Sequence, residues 1–128
     1  MELRKLNQNG NKLIDSYDNN SFIISGKRIE GVALIFYNFS EEIKFDNEYV
    51  IQKIHLEKLL IAKPPIDILI IGHFNGLEFK ISSDIIEILK LNNIKIEKMI
   101  TSSACRTYNL LVSENRKVAC ILFPDKHC

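Results

Sequence analysis

The sequence contains no tryptophan, three cysteines, three prolines and no prevailing charge; its formal net charge is +1 at neutral pH. A chain so near neutrality creates no bulk field to recruit DNA, RNA or an anionic membrane. Its lysines and arginines are scattered rather than clustered, so nucleic acid is excluded as an expected partner. Long apolar runs are also missing. A dense run, Ile66 to Ile71, is interrupted by Asp67 and falls far short of the ~20 residues a membrane helix needs. Met1-Glu2-Leu3-Arg4-Lys5-Leu6-Asn7 has neither an apolar signal core nor the acid-poor, Arg/Ser-rich pattern of a transit peptide. These absences predict a soluble, cytoplasmic protein that does not span a membrane. Cys105, Cys120 and Cys128 form no CxxC pair, and their odd number excludes a complete disulfide framework, so reduced thiols are the default. His127 and Cys128 lack two further spaced ligands, so no zinc site is expected. No Walker loop, GxGxxG, GxSxG or HExxH occurs, and no cofactor and no catalytic constellation are read from the sequence. Abundant Ile, Lys and Asn beside the missing Trp point to an AT-rich, bacterial genome.

What is present is a chain of 128 residues, 46% hydrophobic and 26% charged, enough for one domain with a sizeable core. Residues 1–12 are polar and Asn-rich and read as a mobile N-terminal arm; residues 13–128 read as the domain. Phe22-Ile23-Ile24 is a short strand and Gly26-Lys27 a turn. Ile29 to Tyr37 reads as one long strand with a bulge at Gly31. Ile43, Phe45, Tyr49 and Ile51 keep a period of two to about residue 51. The period then changes. Leu56, Leu59 and Leu60 suit a short helix ended by Pro64-Pro65. Ile66 to Ile71, apolar on both faces, suits a buried parallel strand. Ser82 or Ser83 can cap a helix ended by Asn92-Asn93, with Asp84 in its first turn. Ile94 to Ile100 is a strand, Ser103 to Glu114 a helix, and Val118 to Phe123 a last strand. The order predicts an α/β fold: a three-layer domain with a mixed, largely parallel central sheet. Its helices are expected on one face, with the β-rich N-terminal half on the other.

Ligands of α/β sheets gather beyond the carboxyl ends of parallel strands. One such end carries Gly72-His73, the other Thr101-Ser102-Ser103. The second opens a helix, whose free N–H groups and dipole favour an anion. Cys105, one turn in, could have its thiol pKa lowered by that dipole and by Arg106. Each residue has a structural alternative. Ser102 or Ser103 is more readily a helix cap than a nucleophile. Cys105 borders a stripe of Ala104, Tyr108, Leu111 and Val112 suited to a core. Arg106 meets either an anionic ligand or an acidic side chain; Asp67, at the far end of its strand, is the weaker candidate. A lone His73 without a fixed partner favours packing, as does Cys120 within its strand.

The stretches "IDILIIG" and "MITSSACRTYNLLVSENRKVACILFP" resemble a family of small α/β domains. It includes the third assembly factor of mitochondrial complex I and bacterial and archaeal relatives. Asp67, Leu69, Gly72, Thr101, Ala104, Cys105, Arg106, Thr107, Tyr108, Asn109, Arg116, Val118 and Ala119 match its pattern. Gly72-His73-Phe74 replaces the family's Gly-Thr-Gly, and Ser102 replaces a glycine, so a tight backbone cradle is not expected. The resemblance covers residues 14–124. It implies a layered fold and a binding or assembly role, with a protein partner such as respiratory complex I (NADH–quinone oxidoreductase) subunits. The alternative is an enzyme or sensor for a small anion, built from Gly72, His73, Thr101, Ser102, Ser103, Cys105, Arg106, Thr107 and Asn109.

Overall fold

A computed structural model describes residues 10–46 and 48–125. Three short strands come first: β1 (Ile14–Tyr17), β2 (Ser21–Ile24) and β3 (Lys27–Glu30). They form one antiparallel sheet in that order. A hairpin of β4 (Val32–Phe36) and β5 (Phe39–Ile43) follows, then β6 (Val50–Ile51) and α1 (Lys53–Leu60). The rest runs β7 (Ile68–His73), β8 (Lys80–Ile81), α2 (Ser83–Leu91), β9 (Lys95–Ile100), α3 (Thr101–Ser113) and β10 (Val118–Leu122). The central sheet has the order β5-β4-β10-β7-β9. Its β5–β4 and β4–β10 ladders are antiparallel; β10–β7 and β7–β9 are parallel. β6 and β8 make a separate parallel pair. The fold is thus α/β on a mixed sheet, as expected, with parallel pairing confined to half of its ladders.

The layering differs from the expectation of helices on one face. From β7 the chain crosses through α2 to β9 on one side of β7. From β9 it crosses back through α3 to β10 on the other side. Right-handed crossovers running in opposite directions place their helices on opposite faces. Alternate strand residues record the split. Leu34, Leu69, Ile71 and Ile121 pack with Leu56 and Leu59 of α1 and Ile85 and Leu89 of α2. Ile35, Ile70, Cys120 and Leu122 pack with Ala104, Tyr108 and Val112 of α3 and with Phe22, Ile24 and Ile29 of the small sheet. β7 and β10 are therefore covered on both faces, which is why they read as unbroken apolar runs.

The long strand expected over 29–37 is two strands in different sheets. Gly31 sits at φ +87, and a Cβ there would meet the Glu42 carboxylate at 2.6 Å. The chain turns this corner in a left-handed conformation that glycine adopts without strain. Regular strand breaks off at Ile43 and resumes only at β6 (Val50–Ile51), so the period-two stretch is not continuous. The N-terminal arm falls mostly outside the described residues; Lys12 itself donates its N–H to the Tyr37 carbonyl at 2.7 Å. His127 and Cys128 lie outside the described residues. Among the described residues no helix is long and apolar enough to cross a membrane.

Candidate functional site

α3 follows β9 without a loop. Ile100 occupies the N-cap position in extended backbone (φ −68, ψ 158), and no side chain caps the helix. Ser102 and Ser103 lie inside the first turn, so the expected serine cap does not form and the helix begins at Thr101 rather than Ser103. Gly72 explains the tight junction. A Cβ at Gly72 would stand 2.6 Å from the Ala104 Cβ and 2.8 Å from the Leu122 Cδ2. The missing side chain lets α3 settle directly on β7. Thr101 is buried at this contact, and its Oγ1 has no hydrogen-bond partner among the described residues.

Gly72 faces α3, so the next residue of the strand must face the other way. His73 accordingly has its ring 5.4 Å from Phe79, and it lines an open groove of about 730 Å³ with Tyr49, Phe79, Lys80 and Lys98. No residue of 101–109 lines that groove. The two strand ends are neighbours, His73 lying opposite Ile100 in the β7–β9 register. Their side chains nevertheless serve opposite faces of the sheet. Gly72 and Thr101 meet; His73 does not join them.

The remaining candidates divide by helix face. Arg106 is exposed, with no hydrogen bond or ion pair among the described residues; Ser102, Ser103 and Thr107 are half-buried. Asp67 is exposed near the start of β7, where its charge acts on Tyr37 rather than on α3. Cys105 is buried, and burial pushes its thiol up to about 11, outweighing the opposing pull of Arg106. The expectation of a lowered thiol pKa is therefore reversed: loss of hydration for the thiolate exceeds what one exposed cation returns. Cys120 is fully buried and its thiol is likewise pushed well up, first by burial.

Tyr108 and Asn109 hold the N-terminal sheet. The Tyr108 hydroxyl donates to the Lys12 carbonyl at 3.0 Å. Burial raises its pKa far above the ordinary phenol value, so it remains a donor. Asn109 accepts from the Ile14 N–H at 3.0 Å through Oδ1 and donates to the Ile14 carbonyl at 2.8 Å through Nδ2. The amide thus pairs with β1 as a neighbouring strand would. Sequence reading treated Asn109 as a ligand candidate and missed this role. The available signal was an amide side chain next to a buried tyrosine, far along a helix, able to complete an edge backbone. Among the described residues no group of three or more His, Cys, Asp or Glu could hold a metal ion.

The chain is 30% identical over 116 residues to the NADH dehydrogenase [ubiquinone] 1 alpha subcomplex assembly factor 3 of Xenopus tropicalis, covering 88% of this chain and 61% of that protein. It is 35% identical over 79 residues to the 13 kDa major membrane protein of Francisella tularensis, covering 62% of each. The crystal structure of an outer membrane protein from Bartonella henselae superposes with a TM-score of 0.75 at 26% identity, covering 91% of this chain and 97% of that one. The chain spans about three fifths of the Xenopus assembly factor, and 60% of the human one. Residues 14–123, which contain every strand and helix of both cores, match the family described as "Protein of unknown function (DUF498/DUF598)", and the chain belongs to that family.

Proposed function

We propose that this chain is a non-enzymatic binding protein of assembly type. It works in the cytoplasm on a protein partner, and that partner is respiratory complex I or its subunits. One observation carries the reading: Cys105, Tyr108 and Asn109, the most chemically suggestive residues of α3 besides exposed Arg106, are turned to structural contacts. Cys105 is buried with a raised thiol pKa, and Tyr108 and Asn109 are engaged with the backbone of Lys12 and Ile14. His73, the remaining acid–base candidate, serves the opposite face of the sheet. The name of the Xenopus relative supports an assembly role and supplies the choice of complex I. Affinity purification of the tagged chain from its own cells tests this. Recovery of complex I subunits above an untagged control is expected; their absence from a preparation that retains other stable partners would refute the choice.

A second reading, an anion held at the α3 N-terminus, is favoured by the buried, unpartnered Thr101 Oγ1 in the first turn of the helix, with Arg106 exposed further along it. A thermal-shift panel of phosphates, nucleotides and carboxylates tests it. A ligand at about 100 times its Kd adds about 2.7 kcal/mol, an easily read shift. Arg106→Lys should abolish such a shift, because lysine lacks the planar fork, while the unliganded melt stays within about 0.5 kcal/mol of wild type. A silent panel removes this reading and leaves the first.

A further inference from the structure

The central sheet ends in β5, and among the described residues no backbone hydrogen bond is made along its outer edge. An open groove of about 830 Å³ runs between this strand and α1. Glu41, Glu42 and Ile43 all line it. Successive strand residues point to opposite faces, so a groove lined by all three wraps the strand edge itself. Its far wall is α1, where Ile54 stands 71% exposed at the mouth. Its floor includes Phe45, packed 4.2 Å ring to ring on His55.

The charge is one-sided. Lys58 is held on Glu41 at 3.2 Å and Lys44 on Glu42 at 3.4 Å. These pairs leave Asp46, Glu48 and Glu57 facing the groove without an ion pair among the described residues. This is a local acidic field on a chain whose overall charge is only +1. Burial lowers the His55 pKa, so at neutral pH that ring adds no compensating charge. A second copy of the chain would bring the same acidic groove, with its own Asp46, Glu48 and Glu57, and like charges brought together oppose association. Sheet edges that avoid their own copies yet stay open are suited to strand addition by a partner of opposite charge.

We propose that the β5 edge and the β5–α1 groove bind an extended, lysine- or arginine-bearing segment of a partner protein. The segment adds as a further strand, its backbone pairing with β5, its cations facing Asp46, Glu48 and Glu57, and an apolar side chain resting on Ile54. This rests on the assembly reading, for which it supplies the contact surface.

The test uses the full isotope-labelled chain and a blocked peptide of alternating Lys and Val, about six residues long, a typical strand length. An alternating Glu and Val peptide is the control. The basic peptide should shift amide signals of 39–44 and 54–58. Binding should weaken about tenfold or more in the Asp46→Lys/Glu57→Lys variant, whose melting temperature should match wild type because both sites are exposed surface. Raising the salt should weaken it further. Shifts elsewhere, equal binding of the acidic peptide, or indifference to the double reversal would overturn the proposal. So would a concentration-dependent dimer abolished by Ile54→Glu, which would assign the groove to a second copy. If the basic peptide maps to β5 but no complex I subunit is recovered from cells, the groove stands and the choice of complex I falls. If complex I subunits are recovered equally with the double reversal, the assembly reading stands and the groove falls.

Discussion

Gly72 and Ala104 set the distance between α3 and the sheet. Gly72→Ala would press a methyl to 2.6 Å from the Ala104 Cβ, an atom with no rotamer to move. Overpacking of this kind costs about 1–3 kcal/mol. Adding Ala104→Gly should recover part of the loss, although glycine in a helix itself costs about 1 kcal/mol. A positive coupling in chemical-denaturation midpoints checks this; simple additivity would contradict the contact. The same helix face governs Cys105. Its thiol, pushed up to about 11, is almost wholly protonated at neutral pH. Native protein should label with iodoacetamide at about pH 8 far more slowly than an unperturbed cysteine, and the rate should rise on denaturation. Labelling at Cys105, followed by peptide mass spectrometry, separates it from Cys128. Fast native labelling would restore the activated-thiol expectation.

At the scale of elements, α1 is tied to the loop after β5 through His55. Its Nδ1 accepts from the Gln52 N–H at 2.9 Å, so the ring caps the helix in its neutral form. Burial lowers its pKa, against opposing effects from the Lys44 backbone and the Asp46 carboxylate. The folded pKa lies below the unfolded value of about 6.5, so the unfolded chain takes up the proton first. Stability from this group is complete above that value and is lost as pH falls from about 6.5 toward the folded pKa. Melting temperature should decline across that window, and His55→Gln, which keeps an acceptor at the cap, should flatten the decline. An unchanged slope would place the titration elsewhere. Element existence was legible where periodicity and punctuation agreed: Leu56, Leu59 and the prolines for α1; Ser82 and Asn92 for α2, where Ser82 Oγ accepts from the Ile85 N–H at 3.3 Å. What escaped reading was tertiary. Gly31 looked like a bulge because a corner between sheets and a bulge both call for a left-handed glycine. Ser102 and Ser103 looked like caps because nothing in the local sequence says that Gly72, far along the chain, lets the helix begin at Thr101.

At the scale of the whole molecule, two cores share one sheet. One is closed by α1 and α2. The other is closed by α3 together with β1–β3. The order of elements could be read from the sequence, but the faces could not. They depend on which way each crossover steps, and that depends on β10 inserting between β4 and β7. The candidate site suffered the same gap. Gly72-His73 and Thr101 do end neighbouring strands, yet the strand's alternation turns His73 to one face of the sheet and Gly72 to the other.

Through Tyr108 and Asn109, α3 fastens the N-terminal sheet to the rest of the domain. Native-state hydrogen exchange of wild type and Asn109→Ala tests it most directly, because the Ile14 amide itself donates to Asn109. Removing the amide leaves two backbone groups of Ile14 without partners, at a cost of about 2 kcal/mol. That is a factor of roughly 30 in the opening equilibrium. Amides of Ile14 and the β1–β2 ladder should exchange faster by about this factor, while those of α2, in the other core, keep their protection. Unchanged exchange at Ile14, or an equal loss of protection throughout the chain, would contradict the account.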